Sequence, residues 1–374
     1  MKPLLALVLG AFLIVPPIRL YVAFGRAERL PGLNSAGNVA GRVSVGNRRV
    51  VVRESKTLQL PPVPGSPVGF DCNNPVYRDG DRVYCFTSHE HPYRSVGSDL
   101  NHLENPPRRV SIDNEAGWKQ GGRWIESVHK APNGRLYMWY HNEPPGVVPN
   151  RPDRTAPRIG QMISNDEGLN WHDQGFVLEA DPATFSSKTA NNYFGGGVGD
   201  FTVVPDREGA YLYFLFSTYP SDVREQGVAI ARMAAADLDA PVGKALKWFD
   251  GRWSEPGLGG RATPIFNVEA DWHGPEALAL WGPSVHWNEH LKEYVVLMNL
   301  ASGAGWDQKG VYIAFNGRLD DPRGWTRPAK LMDAAEWYPQ VVGYDAQGRE
   351  SDRVAGRISR LFLKGKSAWT LEFE

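Results

Sequence analysis

Glu126-Ser127-Val128, then Arg135-Leu136-Tyr137-Met138-Trp139-Tyr140, then Ile159-Gly160-Gln161-Met162-Ile163, then Trp171: the fold is read from this order of short apolar segments divided by polar turns. Each segment has the length of a strand and falls short of a helix. The order recurs along the chain. The opening segment has counterparts in Asn74-Pro75-Val76, Asp200-Phe201-Thr202, Pro283-Ser284-Val285 and Pro339-Gln340-Val341. The second recurs at 82–87, 210–216, 293–298 and 357–363, and the third at 227–232 and 311–315. A tryptophan marks the start of the fourth at Trp253 (or Trp248), Trp325 and Trp369. A four-stranded sheet cannot bury both of its faces alone, so such units stack on one another around an axis. The repeat therefore predicts an all-β chain, a five-bladed β-propeller with four-stranded antiparallel blades.

The last unit ends at Glu374 after three strands, which leaves its outer edge unpaired. Residues 42–60, with Val43-Ser44-Val45 and a second strand pattern at 49–53, are the expected donor of the missing strand. Closure by both ends of the chain makes residues 40–374 a single domain. The Pro-rich stretch 61–67 then carries the chain from that outer strand toward the axis.

Composition agrees with this class. The 374 residues are 42% hydrophobic and 22% charged, enough for a large core and unlike a disordered chain. Abundant Gly (40) and Pro (29) suit many tight turns. Lys plus Arg (41) balance Asp plus Glu (42), which gives no basic footprint for nucleic acid. Lys2 and the apolar run 3–15 have the form of a signal-peptide core, too short to span a bilayer. Ala23-Phe24-Gly25 offers a cleavage site, so residues 1–25 read as a signal peptide or an uncleaved membrane anchor. Export to the periplasm or the outside follows, with membrane contact only through such an anchor, and a monomer is expected. Cys72 and Cys85 flank a strand-turn-strand reading centred on Asp79-Gly80; they either form a cross-strand disulfide or remain as two buried thiols.

One motif inside the repeat is specific. Ser164-Asn165-Asp166-Glu167-Gly168-Leu169-Asn170-Trp171 matches the Asp-box pattern, in which Asp caps a turn, Gly takes positive φ and Trp packs beneath the hairpin. With this motif and the repeat, the chain resembles the five-bladed propeller glycosidases: arabinanases, β-xylosidases and invertase-like fructosidases. The run from Tyr193 through Gly195-Gly196-Gly197-Val198-Gly199 to Asp200 is similar to a signature of a bacterial branch of such proteins. The resemblance implies a glycoside hydrolase acting on furanosides or related glycans, with a carboxylate from each of the first three blades. Asp71, Glu126 and Asp200 stand at those places. Asp71 is then the base or nucleophile, and Glu126 and Asp200 an acid and a supporting carboxylate in either order. The bland reading is that these groups cap strand ends or pair with Arg123 or Arg232.

Side chains at or beside the ends of the opening and second segments are candidates for binding sugar: Asn74, His89, Glu90, His129, His141, Glu143, Asn192, Tyr193, Trp281, His286 and Tyr338. Aromatic rings there suit stacking on sugar faces, although an aromatic beside a strand is more often core. No metal is expected from the His89-Glu90-His91 spacing, and no cofactor is expected at all. The glycine run leads into a strand and carries no Lys-Ser/Thr, so it is read as a close approach of backbone beside Asp200 rather than a phosphate loop. A carbohydrate-binding propeller without catalysis is the alternative function.

Overall fold

The protein was analysed as a computed structural model that describes residues 37–113 and 121–374. The expected leader, residues 1–25, lies outside the described residues. Among those described, regular structure consists of strands and three-residue 3₁₀ turns. The strands form four sheets of ten, five, six and five strands.

Three of the sheets are built on antiparallel meanders in sequence order. One is Trp124–Lys130, Leu136–Asn142, Arg158–Ser164 and Asn170–Leu178, with Ser111–Ile112 added in parallel at its edge. The next runs from Val198–Pro205 through Tyr211–Thr218 and Gly227–Ala234 to Leu246–Phe249 and Arg252–Pro256. The third runs Leu278–Asn288, Glu293–Ser302, Asp307–Asn316, Ala329–Met332. The ten-stranded sheet holds two such meanders, joined through Glu350–Ser351 by the single pairing of Ser351 with Tyr77. One of them is Val76–Asp79, Arg82–His89, His91–Gly97, Arg108–Arg109. The other is Pro339–Tyr344, Ile358–Leu363, Lys366–Phe373, and it is extended by Arg48–Gln59, with Val50 opposite Phe373 and Val52 opposite Leu371. An early segment thus covers the edge that the end of the chain leaves open, which an exposed strand would otherwise offer to other chains.

The hydrophobic core lies between successive meanders. Counting the meanders in chain order from the one that begins with Val76–Asp79, Trp139 of the second meets Phe214 of the third edge to face at 5.7 Å. Tyr213 and Ile230 of the third cluster with Val296 and Met298 of the fourth. Val295 and Ile313 of the fourth cluster with Leu361 and Leu371 of the last, and Phe362 of the last with Val76 and Val83 of the first. Tyr84 and Phe86 of the first join Met138 and Met162 of the second. Each meander is therefore packed on two others, and the succession returns to its start.

The Asp-box turn joins Arg158–Ser164 to Asn170–Leu178. Asp166 Oδ1 accepts the Asn170 N–H at 2.9 Å, Gly168 has φ +81°, and buried Trp171 donates from Nε1 to the Gly168 carbonyl at 3.0 Å.

Of the two readings of the cysteines, the structure matches the second, and it corrects the register that would have set them opposite each other. The cysteines are free and buried: Cys85 faces Val76 across the first hairpin, whereas Cys72 lies before that strand with Sγ 3.1 Å from Ser88 Oγ. Residues 88–91, where the second strand ends, form a tight turn on Glu90 at φ +63° that pairs His89 with His91 and starts the next strand.

Candidate active site

The first strands of the meanders converge. Asn73, just ahead of Val76–Asp79, donates from Nδ2 to the Phe201 carbonyl at 3.3 Å, the Pro283 carbonyl at 3.4 Å and Glu126 Oε2 at 3.4 Å. One side chain thereby touches the second, third and fourth first strands. Gln340 joins the last to the first through both backbone groups of Asn74.

At one end of this convergence lies a pocket of about 140 Å³ lined by Asp71, Glu126, Glu143, Asp200 and His141 on its polar side and by Trp124, Tyr193, Phe194, Trp306, Trp337 and Tyr338 on its aromatic side. Tyr193 packs on Trp306 at 5.1 Å, and Trp306 and Trp337 lie 6.1 Å apart at 29° between planes. Buried Trp272 and Trp281 back this wall at 4.7 and 4.9 Å from Trp306. Among the described residues, no Lys or Arg side chain lines the pocket. A wider groove of about 690 Å³ beside Arg135 and Asp239 has, among the described residues, no Trp, Tyr or Phe in its walls.

Local backbone aims the acids. Register shifts between Ile125 and Ser127 and between Gly199 and Phe201 leave Glu126 and Asp200 out of the regular pairing, as bulges do. Asp200 takes φ +43°, a conformation that an L-residue other than Gly, Asn or Asp adopts at a cost. Glu126 is 2% exposed, and its Oε2 accepts the Phe201 N–H at 3.0 Å. Asp200 is 5% exposed, and its Oδ2 accepts the Tyr219 hydroxyl at 2.9 Å. Asp71 keeps about a third of its side chain exposed (34%), with Oδ2 accepting Trp124 Nε1–H at 3.2 Å and lying 4.0 Å from His89 Nε2.

Burial, and then the charge of Asp200, raise Glu126 well above the usual carboxylate range against the opposing pull of His141 and the Phe201 amide. Burial raises Asp200 to about 6, with His141 and Tyr219 opposing. Burial and the Glu143 charge raise Asp71 to about 6. Neighbouring carboxylates that resist ionising together divide protons among themselves, which is the condition for an acid and a base to coexist at one pH.

His141 stands among them. Its Nδ1 receives the Asp200 N–H at 3.0 Å and lies 3.8 Å from Glu126 Oε1, and its Nε2 lies 3.0 Å from Glu143 Oε1. Burial disfavours a charged ring, but the Glu143 hydrogen bond and the Asp200, Glu143 and Glu126 charges outweigh it and raise His141 to about 9. Glu126, His141 and Asp200 offer ligand atoms within 4.8 Å of one another, as a metal site would. Both ring nitrogens are already engaged, one by an amide that needs its lone pair, so the set fits a hydrogen-bond network better than a coordination sphere.

No protein-family model matches the chain, and no curated protein matches it significantly in sequence. Similar solved structures are glycosidases. The native arabinanase of Bacillus subtilis aligns over 82% of this chain and 94% of its own, at 13% identity and TM-score 0.46. The endo-1,5-α-L-arabinanase of Thermotoga petrophila aligns over 81% and 71%, at 14% identity and TM-score 0.49. A β-1,3-galactosidase with galactodeoxynojirimycin aligns over 86% and 93%, at 13% identity and TM-score 0.48.

Of the residues singled out in the sequence, Asp71, Glu126, Asp200, His141, Glu143, Tyr193 and Tyr338 line one pocket. His89 stands just behind Asp71. The others lie elsewhere. Asn74 is buried and tied through its backbone to Gln340. His129, farther along its strand than Glu126, meets Arg353 at 3.1 Å, and His286 packs against Phe373. Trp281 is wholly buried behind the wall, with Nε1 donating to Gln308 Oε1 at 3.2 Å. Exposed Glu90 serves through its carbonyl, which accepts the Arg123 N–H, and exposed Asn192 through its N–H, which donates to the Ala304 carbonyl. Asn73, Tyr219 and Trp306 are the functional neighbours that the sequence reading missed. Trp306 had a signal: it follows Gly303-Ala304-Gly305, a turn composition in which a large apolar residue has no strand face to join.

Proposed function

We propose that this chain is a five-bladed β-propeller, each meander one blade, and a glycoside hydrolase that takes a neutral terminal sugar, a furanoside or a related glycan, into the pocket. The carrying observation is the gathering of Asp71, Glu126 and Asp200, from the first three meanders, in one aromatic-walled cavity. Glu126 is the general acid, because burial and the charge of Asp200 both favour its protonated form. Asp71, the most exposed of the three, is the base or nucleophile, oriented by Trp124. Asp200 is the supporting carboxylate, whose charge holds the proton of Glu126 in place. The aromatic wall stacks on the sugar ring, and a lining that among the described residues holds four carboxyl groups and no Lys or Arg disfavours sugars that carry a carboxylate. The apolar run after Lys2 supports action outside the cytoplasm.

A panel of aryl furanosides and pyranosides tests this reading. Wild type is expected to turn over at least one, and Asp71→Asn and Glu126→Gln to lower that turnover by about 10² or more, the scale of a general acid or base, with the fold unchanged. Full activity in both variants would remove these residues from catalysis. An inert protein that still binds sugars would make it a carbohydrate-binding propeller.

A further inference from the structure

The second strands of the first three meanders share a detail. Their penultimate residues are Ser88, His141 and Ser217, and each accepts a backbone N–H from the head of the next meander: Ile125 to Ser88 Oγ at 2.7 Å, Asp200 to His141 Nδ1 at 3.0 Å, Gly282 to Ser217 Oγ at 3.1 Å. Two of these acceptors are hydroxyls. The one beside the carboxylates is an imidazole, which does two further things that serine cannot: it reaches Glu143 through its other nitrogen, and it can take up a proton.

We propose that His141 is a positioning residue that works as the neutral Nε2–H ring, its Nδ1 fixing the backbone of Asp200 and its Nε2–H aiming Glu143 across the pocket, and that protonation of the ring uncouples the two. This rests on the hydrolase reading for its effect on turnover but not for its account of the ring.

The bonds themselves set the tautomer. An amide N–H approaches Nδ1 only where a lone pair stands, so the proton of the neutral ring is on Nε2, pointed at Glu143 Oε1. The chain makes room for this contact: a Cβ on Gly199 would lie 2.4 Å from His141 Cε1 and 2.6 Å from Nδ1, so only glycine lets the ring lie against the strand there. Trp124 and Phe194, both 5.9 Å from the ring, hold its plane. The backbone it grips is the left-handed one, Asp200 at φ +43°.

The charged groups facing the ring are Glu126 on the preceding strand, Glu143 just beyond its own strand and Asp200 on the next meander, with Asp71 beyond Glu143. All of them draw a second proton toward His141 and pull it up to about 9, but a doubly protonated ring would turn its Nδ1–H onto the Asp200 N–H, so the amide geometry, rather than that upward pull, assigns the neutral ring. When Glu126 carries a proton, one of the nearest charges is gone and the neutral ring is favoured. Protonated at Nδ1, the ring would present a donor to the Asp200 amide; that bond breaks, and the new N–H faces Glu126 Oε1, 3.8 Å away.

Histidine ring-nitrogen NMR on the intact protein tests the ring directly, with the signal assigned by its loss in His141→Gln. A neutral Nε2–H ring at pH 7 is expected; an imidazolium or an Nδ1–H ring at that pH overturns the proposal whether or not the protein cleaves any glycoside. The kinetic arm uses His141→Ser, the side chain found in the two neighbouring positions, and the non-titrating His141→Gln. His141→Ser keeps the acceptor for Asp200 and is expected to stay folded while kcat drops about tenfold or more, since a 1 Å misplacement at a reacting site costs up to about 10². His141→Gln is expected to move the acid limb of the kcat/KM profile to lower pH. A wild-type pH profile in His141→Gln would show that protonation of this ring uncouples nothing.

Discussion

Gln340 holds both backbone groups of Asn74, accepting its N–H on Oε1 at 2.8 Å and donating from Nε2 to its carbonyl at 2.7 Å, across 266 residues of sequence. Both residues are buried. The bonds tie the first strand of the last meander to the head of the first one, so the side chain acts as a clasp where the succession of sheets closes.

Gln340→Leu preserves volume but leaves a buried N–H and a buried C=O without partners. Each such orphan costs about 1–3 kcal/mol. The variant is therefore expected to lose about 2–6 kcal/mol in urea denaturation, while Gln340→Glu, which can still accept from the Asn74 N–H, is expected to lose a different amount at low and neutral pH. A Leu variant as stable as wild type would mean that the clasp is replaced by water or by local relaxation.

The two cysteines give a second outcome. Cys72 and Cys85 are wholly buried, and burial pushes both thiols well above their ordinary range. Neither is expected to react with an alkylating reagent in the folded protein, and both are expected to react after unfolding without reductant, as read by intact mass. A mass two hydrogens lighter that takes no label would restore the disulfide.

Much of this molecule was legible in its sequence because repetition constrains it. Strands of alternating or continuous apolar residues, a turn motif with a mechanism, and a final unit one strand short led to the sheets and to the pairing of Arg48–Gln59 with Lys366–Phe373. The Gly195–Gly199 run was legible as a close approach, and Gly199 lies against His141. What could not be read is which face a residue takes at a bulge. His129 is three residues after Glu126 on one strand; an irregular strand head turns Glu126 to the pocket, and regular alternation sends His129 to Arg353. Asn73 and Asn74 are likewise adjacent, but only the first turns its amide toward Glu126. The cysteines erred by register, since Cys72 precedes the strand that would have placed it opposite Cys85.

The aromatic wall makes a prediction about substrate. Trp337 and Tyr193 stand on the open side of the pocket, backed by buried Trp281 and Trp306. Truncating Trp337 to Ala removes a stacking face worth about 0.5–1.5 kcal/mol, so KM on a cleaved glycoside is expected to rise several-fold with kcat changed less. Uronides of the same ring form are expected to be turned over at least about 10²-fold more slowly, because four carboxyl groups and, among the described residues, no Lys or Arg meet their negative charge. Equal rates on neutral and acidic sugars would show that the substrate ring sits elsewhere.

The last prediction concerns what Asp200 costs the fold. Its carboxyl is raised from 3.8 to about 6, chiefly by burial, so the folded protein holds this proton more tightly than the unfolded chain does. Below the lower value the group is neutral in both states and costs nothing. As pH rises the unfolded chain ionises first, and stability is lost until the folded group ionises as well, near pH 6; above that the deficit is constant. A shift of this size corresponds to about 3 kcal/mol at most, less whatever its coupling to Glu126 returns. Asp200→Asn keeps the acceptor for the Tyr219 hydroxyl and suits positive φ, so the charge is the main thing removed. The variant is expected to melt at a higher temperature than wild type at pH 7, with the gap closing as pH falls toward 4, while its turnover falls by about 10² or more. Thermal melts across pH 4 to 8 decide it. A gap absent at pH 7 would mean that the carboxyl at position 200 is ionised at no cost, and one that persists unchanged at pH 4 would mean that the gain comes from something other than its charge.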